Sequence, residues 1–289
     1  DVRTIYEAPI SFFREKLDVQ VLNYFKLKSK KPANLKPWKK ITKIILQTKK
    51  QVNIAIIGKY VELKDAYKSL DEALTHGGIQ NNVKVNLVRI DSEKLKVSEI
   101  KSKLKHISGI LIPGGFGKRG TTGKIESIKY ARKNKVPFLG ICYGMQMAII
   151  EFARNQLNLK KATSSEFDRN GIPVIGLINE WIRDGKTIKG TDKNLGGTMR
   201  LGSYDAKLQN NSKIKKIYGK KIIKERHRHR SEVNINLIDK FEKKGMSFSG
   251  LSPDGFLPEI IELKNHPWFV GVQFHPEFKS RPLAPHPLF

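Results

Sequence analysis

Cysteine is nearly missing from this chain: Cys142 is the only one in 289 residues. A lone cysteine excludes a disulfide within the chain, and nothing else points to an oxidising compartment. Long apolar runs are missing too. No stretch approaches the roughly 18 uninterrupted apolar residues of a membrane span. The first residues, DVRTIYEAPI, have no basic, apolar and small-residue segments of a secretory signal. The expectation is a folded cytoplasmic protein without a membrane partner. Acidic residues are scarce, 27 against 55 Lys and Arg, which leaves a net charge of +28. Such a charge invites a nucleic-acid reading, because a basic surface gathers phosphates. The lysines, however, fall in scattered pairs (KSKK, KKITK, TKKQ, KIKKIYGKK) with few aromatics interleaved to stack on bases. No nucleic-acid partner is therefore expected.

What is present is enough for one large α/β domain with an appendage, or two modest domains, and 39% hydrophobic residues suit a packed core. Residues 1–51 read as a connector with one short helix, because KLKSKKPANLKPWKK combines two prolines with many lysines. From residue 52 to 289 the pattern is that of a domain. VNIAIIG reads as a buried strand, DAYKSLDEALTHGG as a helix capped by Asp65 and ended by Gly77 and Gly78, and VKVNLVRI as a second strand. ISGILIP, TGKIESIKYARKNK, VPFLGI and GMQMAIIEFARN continue the alternation. Buried strands alternating with helices predict an open, mostly parallel sheet with helices on both faces, and its ligands gather at the carboxyl ends of the strands.

Cys142 sits at such an end, at a tight turn between VPFLGI and an apolar-faced helix. A side chain on this kind of elbow stands clear of the sheet, and the positive end of the helix favours thiolate over thiol. A thiolate nucleophile needs a base, and the base needs an orienting group. VGVQFHPEF, the last strand, carries His275 and Glu277 two residues apart, on one face of an extended segment. Pro276 favours extended geometry before it. An isolated H-P-E reads as a strand-end histidine beside a solvated carboxylate; a cysteine elbow at another strand end reverses that reading.

Gly115, Gly117 and Gly120 satisfy G-x-G-x-x-G after a strand, but no acidic residue follows about 20 positions later, as a dinucleotide site requires. The loop suits an oxyanion hole better, its N–H groups standing beside that of Tyr143. In ERHRHRSE, alternation places Arg226, Arg228 and Arg230 on one face and His227 and His229 on the other. By spacing alone this is an exposed basic edge strand. In NLGGTMRLGSY, the glycines at 196, 197 and 202 mark a mobile loop that carries Arg200, or an ordinary connector.

With H-P-E distant from it, the elbow resembles that of the class I glutamine amidotransferases, roughly G-x-C-x-G-x-Q, here Gly140, Cys142, Gly144 and Gln146. IYEAP, GKYVELKDAYKSLDEALTHGG, PGGFGKRG, LGGTMRLG, ERHRHRSEVN and NHPWFVGVQFHPEFKSRP are similar, within that family, to the glutaminase domains of CTP synthases. The resemblance implies hydrolysis of L-glutamine with Cys142 as nucleophile, His275 as base and Glu277 orienting it. It implies an oxyanion hole from Gly115 and Tyr143, and a glutamine pocket that adds Gly144, Met145, Gln146, Glu166 and Arg230. It implies no metal or cofactor in this domain, GTP as an allosteric activator near Lys59, Arg119 and Arg200, and a homotetramer of the full-length enzyme. The family's synthetase domain, which uses ATP and Mg2+ to aminate UTP, is expected before DVRTIYEAP and has no counterpart here, so the chain alone is not expected to make CTP. HPLF is expected to be a trimmed end. Tyr143 departs from the leucine that the family commonly places after the cysteine. Two alternatives stay open: another class I amidotransferase or glutamyl hydrolase, and a basic nucleic-acid-binding module in which the triad is idle.

Overall fold

The computed structural model describes residues 1–29, 31–168, 170–177, 180–183, 186–189 and 199–289. Its helices are α1 (Ala8–Arg14), α2 (Leu17–Tyr24), α3 (Lys36–Gln47), α4 (Lys68–Gln80), α5 (Ile100–Leu104), α6 (Thr121–Asn134), α7 (Tyr143–Gln156), α8 (Lys213–Tyr218) and α9 (Ile238–Lys243). The first strands are β1 (Gln51–Gly58), β2 (Lys84–Asp91), β3 (Gly109–Ile112), β4 (Phe138–Ile141), β5 (Ala162–Ser164), β6 (Ile172–Leu177), β7 (Glu180–Arg183) and β8 (Lys186–Lys189). The last are β9 (Arg200–Leu208), β10 (Ile222–His229), β11 (Ser231–Val233), β12 (Met246–Leu251), β13 (Pro258–Leu263) and β14 (Phe269–Val272). Among the described residues no helix is long and apolar enough to cross a membrane.

Nine strands form one sheet in the order β10-β9-β12-β13-β14-β4-β3-β1-β2. The pairs β2–β1, β1–β3, β3–β4 and β4–β14 are parallel, and the remaining pairs, from β14 to β10, are antiparallel. Continuous apolar runs at β1, β3 and β4 are what two-sided burial demands. Alternate residues feed two cores: Ile57, Ile110 and Ile112 meet α6 and α7, whereas Ile56 and Leu111 meet α4 and α8. Two smaller sheets, β11-β6-β5 and β7-β8, lie outside the main one.

Several expectations are corrected here. The first 51 residues hold three α-helices rather than one. Pro37 does not break α3, because it falls in the first turn, where the missing N–H has no partner to lose. Tyr6, Ile41 and Ile79 form a small core that seats this segment on α4, and the Tyr6 hydroxyl donates to Glu72 over 2.5 Å. Asp65 caps nothing, and α4 runs through Gly77 and Gly78 to Gln80. These glycines serve close packing instead. A Cβ on Gly77 would lie 2.5 Å from the carbonyl carbon of Phe289, and one on Gly78 would lie 2.6 Å from the carbonyl oxygen of Val83.

Candidate active site

Because β3, β4 and β14 are parallel neighbours, the segments leaving their carboxyl ends converge on one edge of the sheet. They are the glycine loop after Ile112, the elbow at Cys142 and the stretch Gln273–Glu277. Val272 is level with Ile141, and its carbonyl accepts from the Cys142 N–H over 2.6 Å. Residues 131 apart in the sequence are thereby brought side by side, and the Gln273 amide donates to the Cys142 sulfur over 3.7 Å.

Cys142 has φ 51° and ψ −100°, a strained backbone for a residue with a Cβ. Its neighbours make the turn possible. A Cβ on Gly140 would lie 2.7 Å from the carbonyl carbon of Gly144, and one on Gly144 would overlap the Ile112 carbonyl oxygen. Glycine at both ends of G-x-C-x-G therefore lets α7 pack directly on β3 and β4. Cys142 is buried as the cap residue of this 14-residue helix, whose first N–H groups lack intrahelical partners.

His275 Nδ1 lies 2.8 Å from Glu277 Oε1, as the pairing of orienting carboxylate and imidazole requires. The route differs from the extended segment expected: Pro276–Lys279 is a 3₁₀ turn that Pro276 opens, and the turn swings Glu277 back to the ring. The His275 N–H donates to the carbonyl of Arg226 over 2.8 Å, and the Arg228 carbonyl lies 3.9 Å from the Cys142 sulfur. Strand β10 thus backs both groups. Burial opposes a charge on His275, but pairing with the Cys142 thiol and with Glu277 outweighs it and raises the imidazole to about 10.

The other expected residues divide. Gly115 stands beside Tyr143, whose Cδ1 would be 3.8 Å from an added Cβ. Glu166 is exposed, and its carboxylate accepts from the Gly117 N–H over 2.8 Å. Arg226 and Arg228 point outward on the edge strand β10, His227 and His229 inward, and Arg230 is half-buried at its end. Met145 is sealed in the core, and Gln146 is buried, donating to the Ser231 carbonyl (3.1 Å) and to Gln273 Oε1 (3.4 Å), whose amide reaches the Cys142 sulfur. The Lys59 ammonium donates to the Phe116 carbonyl, and Arg119 is exposed beside Glu93 at 3.3 Å.

Arg200 lies in neither a loop nor an open cleft. It begins β9, is 2% exposed, and pairs with Glu232 (3.0 Å) and Glu259 (2.8 Å) beneath the Tyr204 ring. The guanidinium is committed to two buried carboxylates at the start of a strand, which corrects the mobile loop expected to carry it. Gly202 lies within the same strand. Gly196 and Gly197 lie outside the described residues. Sequence reasoning missed Gln273, although it stands two residues before His275, and Gly114, where a Cβ would come within 2.7 Å of His275 Cε1. The paired glycines of PGGFG were the available signal. Glu232 and Glu259 had none.

A sequence profile of the glutamine amidotransferase class-I family matches residues 62–289. The chain belongs to this family. Among solved structures, this amidotransferase is similar to the CTPS glutaminase domain of Trypanosoma brucei with bound acivicin, with TM-score 0.73 and 33% identity. That match covers 82% of this chain and 90% of the other, which places the chain among CTP synthase glutaminase domains. The chain is 86% identical to CTP synthase of Pelagibacter ubique and 52% identical to that of Rhodospirillum rubrum, over its full length in each case. It spans 54% of the length of both relatives.

Proposed function

We propose that the chain hydrolyses the side-chain amide of L-glutamine, with Cys142 as nucleophile, His275 as acid and base, and Glu277 as the orienting carboxylate. The observation that carries this reading is the meeting of Cys142 with a His275 that is paired to Glu277, at the ends of two adjacent parallel strands. His275 takes the Cys142 thiol proton, and the thiolate attacks the amide carbon and forms a C–S bond. The N–H groups of Gly115 and Tyr143 receive the oxyanion. The C–N bond breaks as His275 gives its proton to departing ammonia. His275 then takes a proton from water, which attacks the thioester; the C–S bond breaks, glutamate leaves and the proton returns to the Cys142–His275 pair. Glu166 and Arg230 carry the charges that a substrate amino and carboxylate group require.

In the intact polypeptide, by likeness to CTP synthases, the ammonia serves ATP-dependent amination of UTP by a synthetase domain, in a GTP-activated homotetramer. Ammonia release from glutamine is measured for the natural polypeptide and for Cys142→Ala. Loss of release in the variant is expected; equal rates would overturn the reading.

A further inference from the structure

The two N–H groups assigned to the oxyanion are carried by different segments, Gly115 by the loop after β3 and Tyr143 by the elbow after β4. Something must hold the two segments at a fixed separation. The loop cannot do this itself: Gly114, Gly115 and Gly117 have no side chains, Gly117 is left-handed at φ 74°, and Phe116 is 67% exposed.

It is fastened from outside, at two consecutive peptides. The Gly117 N–H donates to Glu166 over 2.8 Å, and the Gly117 carbonyl accepts from the Tyr143 hydroxyl over 2.5 Å. The Phe116 carbonyl accepts from the Lys59 ammonium. Of these three, only Tyr143 belongs to the elbow, directly after the nucleophile. Its ring is fully enclosed, edge-to-face with Phe167 at 6.1 Å, with the Lys124 and Lys59 ammonium groups 5.7 and 6.0 Å from its centroid. Burial, and then the charge of Glu166, raise the phenol well above its ordinary value, so it remains a donor across the working range of pH.

We infer that the Tyr143 hydroxyl is a positioning group for amide hydrolysis: it ties the glycine loop to the nucleophile's own helix and sets the separation of the two oxyanion donors. The inference rests on the glutaminase reading. A donor displaced from the oxyanion acts on charge that develops only in the transition state, so its loss lowers kcat and leaves KM nearly alone. Alkylation of Cys142 by iodoacetamide forms no oxyanion and is a control for the thiolate itself.

Tyr143→Phe in the intact natural polypeptide keeps the ring and deletes the hydroxyl. The expected result is about a tenfold fall in kcat, KM within about twofold and an unchanged alkylation rate. Hydrogen exchange should quicken through residues 113–120 while β4 and β14 stay protected. A kcat equal to that of the natural protein, a parallel fall in kcat and alkylation, or exchange that quickens everywhere or nowhere would each overturn the inference. Failure of the glutaminase reading looks different: the natural protein then releases no ammonia although Cys142 still alkylates.

Discussion

Replacing Arg200 with methionine probes a buried cluster of charge. The guanidinium joins three strands, standing on β9 and reaching Glu232 on β11 at 3.0 Å and Glu259 on β13 at 2.8 Å. Burial pushes both carboxyls above the ordinary carboxylate range, and Arg200 opposes that rise. Methionine fills much of the volume but leaves the two acids facing each other without a cation. Removing one member of a buried ion cluster costs about 3–5 kcal/mol. At about 2–4 °C per kcal/mol for a domain near this size, the melting temperature falls by about 6–20 °C. The sign of the pH dependence follows from the raised carboxyls. The folded protein holds protons on Glu232 and Glu259 that the unfolded chain releases above its carboxylate pKa, so stability declines as pH rises from there toward the folded values. Without Arg200 those values rise further and the decline steepens, so the variant is penalised more at pH 8 than at pH 5. Denaturant unfolding of the intact protein and Arg200→Met, followed by circular dichroism at both pH values, measures this. A loss below about 1 kcal/mol, or an equal loss at both pH values, would refute the claim that Arg200 neutralises a buried acid pair.

Gly144→Ala places a methyl group inside the Ile112 carbonyl contact and pushes α7 off the sheet; a destabilisation of about 3 kcal/mol with loss of glutamine hydrolysis is expected, and a stable, active variant would show that the elbow relaxes freely. Glu277→Gln removes one of the two partners that raise His275 to about 10, so the basic limb of the Cys142 alkylation profile should move to lower pH, and an unmoved limb would mean that the Cys142 pairing alone holds the proton. The same raised value makes His275 stabilising below the ordinary imidazole pKa, with that contribution lost as pH climbs through about 10, and Glu277→Gln narrows this window in unfolding measurements.

The parts legible in the sequence are those that local pattern decides. β1, β3 and β4 announce themselves as apolar runs because both faces of the sheet are covered, and Cys142 and His275 are recognisable because each leaves such a strand at the ligand-binding edge. Partners distant in sequence decided the rest. Gly77 and Gly78 look like a helix stop until Phe289, more than 200 residues later, is seen to need the space that Gly77 leaves. Pro37 looks like a breaker until it falls in a first turn. Arg200 looks available until Glu232 and Glu259 close on it. The same distinction runs through the site. The nucleophile and base are named by motif, but what holds them is not: Gln273 on the sulfur, Gly114 giving room to the imidazole, and the Tyr143 hydroxyl on the Gly117 carbonyl. A motif records which atoms must react; their spacing comes from contacts between segments, and only the assembled sheet brings the ends of β3, β4 and β14 together.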